Sequence, residues 1–460
     1  MKKLYILTST LAVALFSLTN VHAQLRLVNA FGIGTSGSIG GRYDSCSFTN
    51  PFGVAIDQSN PNKFFFSDYG NSLIREAIRS SASDSLHVYT QAGVAVTGFS
   101  GDGGPGTAAK LNQPTGIWIN YGGDTVLFAD KNNHVIRKLT NNSPSYTITT
   151  IAGTGTVSGT LGDGSLAISA QLNNPTGVFR DRSGNIYIAD QGNNKIRMVD
   201  HATKNISTIA GTGTAGFSGD SALATLAKLS SPTQIFVDSS YNIYFSDQGN
   251  HVVRKISSST GFISTVAGTG TTSGYSGDGA AATSAKLNGP SGILVFGPDL
   301  YIADQGNNVI RKVDGSGNIS TIAGTGVAGY NGDTLATAAK LKGPTGVTVD
   351  YTTGIIYIVD AGNNRVRKLV AVSSGVAETR TGLVAEIYPN PSHGQFTIQL
   401  PSGIATAQLE IFNVVGTSVY KSTITGNKSQ IDMGAQPEGM YFVHLRSGDA
   451  VSVQKVIVNK

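Results

Sequence analysis

The sequence predicts an all-β protein: a six-bladed β-propeller whose last blade is closed by an N-terminal strand, followed by a small C-terminal β-sandwich. Three observations predict it. One phrase, an apolar strand, Asp, a four-residue turn and a second apolar strand carrying Arg, recurs six times. The chain holds 58 Gly in 460 residues and only 13% charged residues, a balance that suits short strands and tight turns better than helical bundles. The last repeat lacks a strand that an unmatched apolar stretch near the start could supply.

The chain opens on an export signal. Lys2 and Lys3 form a positive end, residues 4–18 are mostly apolar, and Val21-His22-Ala23 puts small residues where cleavage before Gln24 needs them. The apolar stretch is short for a membrane span and no second one follows, so no transmembrane span is expected after cleavage. Two of the +5 formal charges are Lys2 and Lys3. The remainder forms no basic patch, and nucleic acid is not expected as a partner. Cys46 is the single cysteine, so no internal disulfide forms and packing must hold the fold together.

The repeated phrase reads FFFSDYGNSLIR, VLFADKNNHVIR, IYIADQGNNKIR, IYFSDQGNHVVR, LYIADQGNNVIR and IYIVDAGNNRVR. Its aspartates, Asp68, Asp130, Asp190, Asp247, Asp304 and Asp360, lie 62, 60, 57, 57 and 56 residues apart, and an Arg follows each by seven. Each unit supplies four strands. The first opens on Pro (PFGVAID, PTGIWIN, PTGVFRD, PTQIFVD, PSGILVF, PTGVTVD), which a strand tolerates at its first position. The segments typified by IYIAD, NVIRKV and ISTIAG supply the others, rich in the β-branched and aromatic residues of pleated surfaces. Gly-Asn and Asn-Asn pairs between the second and third predict tight hairpins with positive φ. Four antiparallel strands repeated six times make a propeller, because one sheet cannot bury both faces alone. The sixth unit has nothing like ISTIAG after Leu369, and residues 25–32 (LRLVNAFG) are expected to fill that place and clasp the ring.

Antiparallel connectivity puts the Asp-x-Gly-Asn turns and the long inter-blade linkers on one face, the top. Each of five linkers carries an Asp after Gly: Asp102, Asp163, Asp220, Asp278 and Asp333. Phe99, Phe217, Tyr275 and Tyr330 stand three residues before four of them, and Thr160 before the fifth. Two readings compete. In one, the linkers form an acidic, aromatic rim that binds carbohydrate, peptide or Ca²⁺. In the other, each Asp caps a turn and each AxxAKL stretch packs as a short helical turn over the blade. Near-identical copies favour the second. Calcium also requires several oxygens from one loop, where each linker offers one carboxylate, so no cofactor is expected, with Ca²⁺ or another divalent cation as the alternative. The Asp/Arg pair in every blade reads as turn capping and strand pairing; as an exposed pair it would contribute roughly 0–1 kcal/mol. His134 and His251 occupy equivalent turn positions in non-adjacent blades, where the other blades have Ser72, Asn194, Asn308 and Asn364. They are top-face candidates and could share a metal only near the axis. His87, His201, His393 and His444 form no constellation, no catalytic signature is present, and no catalytic residue is assigned.

These units resemble NHL repeats, a propeller family with a signature like PxGVAVD…IYVAD.GNNRIRKV, over about residues 25–370. Residues 371–385 read as a linker, and residues 386–460 alternate apolar residues with turns as a compact sandwich does. That segment resembles the type A sorting domain of the Bacteroidetes type IX secretion system through Tyr388-Pro389-Asn390-Pro391, Gly394 with Phe396, Ile411-Phe412-Asn413 with Gly416, Gly439 with Tyr441, and the terminal Lys455 and Lys460. The resemblance implies passage through the periplasm to the cell surface or medium, with the secretion machinery as a partner. The expected function is a non-catalytic binding module for an extracellular glycan or protein, working through the top face. One alternative is an enzyme, since some propellers with related repeats resemble lyases or lactonases with a metal in the central channel; Asp57, Asp181, Asp238 and Asp350 end the first strands there. The other is a structural surface protein.

Overall fold

The computed structural model describes residues 25–79, 86–143, 145–371, 385–401, 403–413, 418–447 and 450–459. The export signal, nearly all of the expected linker, Gly416 and Lys460 lie outside them. Two compact units divide the chain, one of them Gln24–Ala371.

That unit holds six antiparallel sheets, each with four main strands. Sheet one comprises Val54–Ile56, Lys63–Asp68, Leu73–Arg79 and Leu86–Ala92; sheet two Pro114–Ile119, Thr125–Asp130, Val135–Asn141 and Tyr146–Ala152. Sheet three comprises Pro175–Arg180, Ile186–Asp190, Lys195–Val199 and Ile206–Ala210; sheet four Pro232–Val237, Ile243–Asp247, Val252–Ile256 and Phe262–Ala267. Sheet five comprises Pro290–Phe296, Asp299–Asp304, Val309–Val313 and Ile319–Ala323. Sheet six takes three strands from the end of the repeat array, Pro344–Val349, Ile356–Asp360 and Arg365–Ala371. Its fourth is Leu25–Phe31, antiparallel to Arg365–Ala371 from Leu25 opposite Ala371 to Phe31 opposite Val366. No α-helix occurs among the described residues.

The period of two along each strand gives every sheet two apolar faces. In sheet three, Tyr187 and Ala189 join the core shared with sheet four, whereas Ile188 joins the core shared with sheet two. Such cores lie between every consecutive pair of sheets, and another, built from Phe31, Phe48, Phe64, Phe66, Tyr357 and Val366, lies between sheets six and one. The first strands also touch in cyclic order, the last of them against the first. Leu27 and Phe31 of the N-terminal strand are fully buried, and each such side chain contributes about 1.5–3 kcal/mol. Cys46 is buried beside Phe31 and Phe48, and burial pushes its thiol up to about 11, as suits a packed residue rather than a nucleophile.

The hairpins differ from expectation in one respect. After each repeat Asp the chain makes a 3-10 turn, and the positive φ falls on the residue that follows it, Ser72, His134, Asn194, His251, Asn308 or Asn364. The turn glycine serves close approach instead: a Cβ on Gly192 would stand 2.6 Å from the Asn173 side chain in the incoming linker.

The other unit contains two antiparallel sheets. One orders Glu386–Tyr388, Gln395–Gln399 and Lys428–Asp432; the other orders Ser418–Thr425, Thr406–Asn413, Gly439–Ser447 and Ala450–Val458. Phe396 and Ile398 of the first share a core with Ile411, Val443 and Val456 of the second. Asn390 ties the YPNP segment to the last strand, accepting from the Ile457 amide at 2.9 Å and donating to the Lys455 carbonyl at 2.7 Å.

Candidate functional site

The linker aspartates and aromatics converge on the repeat arginines. Arg75, Arg137, Arg197, Arg254, Arg311 and Arg367 are at most 2% exposed, and their partners Asp68, Asp130, Asp190, Asp247, Asp304 and Asp360 are fully buried. The expectation of an exposed Asp/Arg pair is therefore corrected. The sequence repeats the pair but does not reveal that the linker leading into the same sheet folds over it. In sheet four, Arg254 meets Asp247 at 3.4 Å and Asp220 at 2.8 Å, donates to the Ser218 carbonyl at 3.0 Å, and lies 4.9 Å from the Phe217 ring centre. Asp102 with Phe99 clasps Arg137 alike, Asp278 with Tyr275 clasps Arg311, and Asp163 reaches Arg197 without an aromatic lid. Asp333 lies farther, 3.7 Å from Arg367, whose guanidinium packs on the Tyr330 ring, and accepts from the Asn29 amide of the closing strand. Burial pushes Asp130, Asp190, Asp247, Asp304 and Asp360 up to about 6, against the pull of their hydrogen bonds and the guanidinium.

His134 and His251 do the work of asparagine. Asn194, Asn308 and Asn364 each accept a backbone N–H of the next linker at 2.9 Å through Oδ1. His134 Nδ1 accepts from the Asn174 amide at 3.1 Å, and His251 Nδ1 from the Gly289 amide at 3.0 Å. An accepting Nδ1 carries no proton, and burial lowers both histidines below 6.5. Among the described residues, no group of three or more His, Cys, Asp or Glu side chains could hold a metal ion.

A cavity opens on the other face. Pro175 pairs with Asp190, so each first strand begins beside the linkers and runs away from them. At the far ends of these strands, residues from all six sheets enclose a cavity of ≈ 560 Å³. There the repeats diverge. The fifth position of the first strand is Ala55, Trp118, Phe179, Phe236, Leu294 or Thr348; the sixth is Ile, Ile, Val, Val or Val except for Arg180. Phe179 and Phe236 lie 5.1 Å apart, Phe296 stacks on Tyr351 at 5.6 Å, and Arg180 lies 5.9 Å from the Trp118 ring centre. Tyr121 is 78% exposed at the rim. The strand-end aspartates are occupied by their own turns: Asp181 accepts from Asn185 and the Tyr187 hydroxyl, and Asp238 from Ser240 and Asn242. Arg180 and Arg182 have no ion-pair partner among the described residues. Asp181 and Asp238, named in the sequence for the enzyme alternative, line this cavity, and none of the top-face candidates does. The signal available in the sequence was the one position where the repeats disagree most.

Comparison with known proteins matches residues 386–459 to the secretion system C-terminal sorting domain and residues 341–369 to the NHL repeat. The chain is 30% identical to the chloroplastic protein SUPPRESSOR OF QUENCHING 1 of Arabidopsis thaliana, over 46% of this chain and 21% of that one. It is 27% identical to NHL repeat-containing protein 2 of Bos taurus, over 35% of this chain and 22% of that one. The chain thus spans about a fifth of these relatives' length. Among solved structures, an auxiliary nutrient binding protein of Bacteroides ovatus aligns with a TM-score of 0.56 at 16% identity, covering 76% of this chain and 77% of that one. A structural genomics protein of Bacteroides thetaiotaomicron aligns with a TM-score of 0.54 at 20% identity, covering 75% and 76%. These likenesses establish the fold.

Proposed function

We propose that this chain, which carries NHL repeats and a C-terminal sorting domain that directs it to the cell surface or the medium, is an extracellular glycan-binding module whose ligand enters the cavity at the far ends of the first strands. On this reading residues 24–370 are a closed six-bladed propeller, residues 386–460 a sandwich that engages the type IX secretion machinery, and residues 1–23 a cleaved export signal. The top-face residues, from Asp102 to Asp333 with their aromatics and with His134 and His251, serve the scaffold: each already holds a partner inside the fold. One observation carries the proposal: a solvent-open cavity rich in aromatic side chains stands where the repeats lose their symmetry. A single ligand needs such asymmetry, and aromatic faces with a few polar groups suit the C–H face of a pyranose. The nutrient-binding name of the Bacteroides ovatus protein agrees with this reading.

Trp118 is the chain's sole tryptophan and lines the cavity. Its fluorescence is therefore a local reporter. Titration of the full chain with oligosaccharides selected on a glycan array should change its intensity saturably. Saturable binding of proteins with no glycan response would replace this reading with a protein-binding one.

A further inference from the structure

A second cavity, of ≈ 470 Å³, lies between sheets two and three. Arg180 lines both it and the larger cavity, so the two meet at one guanidinium. Exposed Leu166 and Ile168 form one wall of this groove, and Lys138, Arg180, His201 and Lys204 supply cationic or basic groups along it. Its carboxylate, Asp200, is taken up by the amide and hydroxyl of Thr203.

The charge of the groove arises from particular substitutions in the repeat. The residue after the repeat Arg faces a neighbour on the second strand. Lys255 lies over Tyr244, and Lys312 over Tyr301 while pairing with Asp299 at 2.6 Å. Lys138 faces Leu127 instead, and Thr125 stands where sheet five has Asp299. Lys138 thus lacks both partners its counterparts have. Arg180 stands where the other sheets have Ile or Val. The matching groove between sheets four and five, also ≈ 470 Å³, is lined by Asp299 and Asp314 and by no Lys or Arg. A matching groove of equal volume with no Lys or Arg in its lining means the cations are not required by the blade packing.

Resting on the glycan reading above, we propose that cavity and groove form one track for a carboxylated polysaccharide. Aromatic faces hold sugar rings in the cavity, and Arg180 and Lys138 meet successive carboxylates as the chain leaves along the groove. A guanidinium suits a carboxylate because its fork can donate two parallel hydrogen bonds.

The test substitutes residues that sister repeats already use, so that folding is preserved: Arg180→Val, as in Val237, and Lys138→Met, as in Met198. Calorimetric titration of the full chain compares polygalacturonate, neutral β-galactan and poly-L-glutamate. The track predicts that polygalacturonate binds at least tenfold tighter than galactan and that the double variant loses that advantage with an unchanged melting temperature. Equal binding of both polysaccharides, unaffected by the substitutions, would overturn the anionic track and leave the glycan reading standing. Preference for poly-L-glutamate would overturn it in favour of an acidic peptide. If neither polysaccharide binds, the glycan reading itself fails.

Discussion

Replacing Arg254 by Met tests what the clasps do. The guanidinium, fully buried, contacts Asp247 at 3.4 Å and Asp220 at 2.8 Å, with Phe217 as its lid. Met fills much of the same volume but leaves Asp247, a fully buried carboxylate, without its cation and with only the hydrogen bonds from Ser230 and Asn250. Breaking a buried pair this way costs about 3–5 kcal/mol. Asp220 is 44% exposed on the same guanidinium, so Asp220→Asn should cost about 1 kcal/mol or less. Phe217→Ala removes a cation–π contact of about 0.5–2 kcal/mol. Urea unfolding gives the ranking, and pH identifies the cause. Asp247, already pushed up to about 6 by burial, rises further when its cation is gone, whereas the unfolded value stays near 3.8. A carboxyl raised in the folded state destabilises most above its folded pKa, and the penalty shrinks as pH falls toward 3.8. Arg254→Met should therefore be most damaging near pH 8 and milder near pH 5 (roughly, by linkage). A loss within about 1 kcal/mol, or one independent of pH, would refute the reasoning, since lost packing alone has no proton to exchange.

Further outcomes follow from the same contacts. His134→Asn with His251→Asn should keep the inter-sheet hydrogen bonds and remove a pH dependence: burial lowers both histidines, so their contribution is intact above 6.5 and declines as pH falls below it. Unfolding curves of variant and parent should coincide above that pH and diverge below. Deleting Leu25–Phe31 uncovers the edge of sheet six and two fully buried side chains worth about 1.5–3 kcal/mol each; differential scanning calorimetry should register a sharp fall in melting temperature. Removing residues 386–460 should leave the protein in the periplasm, read by cell fractionation.

Much of the fold was legible because it is repetitive. Six phrases in register fixed the sheets, and the missing ISTIAG strand after Leu369 pointed to residues 25–32. Less legible was anything depending on how a linker folds back. Gly-Asp and the preceding aromatic look like a decorated rim as a string, and only the three-dimensional return of the linker brings Asp220 and Phe217 onto Arg254. His134 and His251 stood as top-face candidates that could share a metal only near the axis, although their equivalence to Asn194 and Asn308 already hinted at a hydrogen-bonding role. The cavity was hidden because repetition draws attention to what is shared, whereas Trp118, Arg180 and Tyr351 are informative as departures from it.

The most direct test is hydrogen–deuterium exchange of the full chain with and without a bound oligosaccharide. The account predicts slowed exchange at the far ends of the first strands and the turns after them, around residues 117–121, 179–182 and 236–241. Protection confined to the opposite face, at the linkers carrying Asp102, Asp163, Asp220, Asp278 and Asp333, would contradict it.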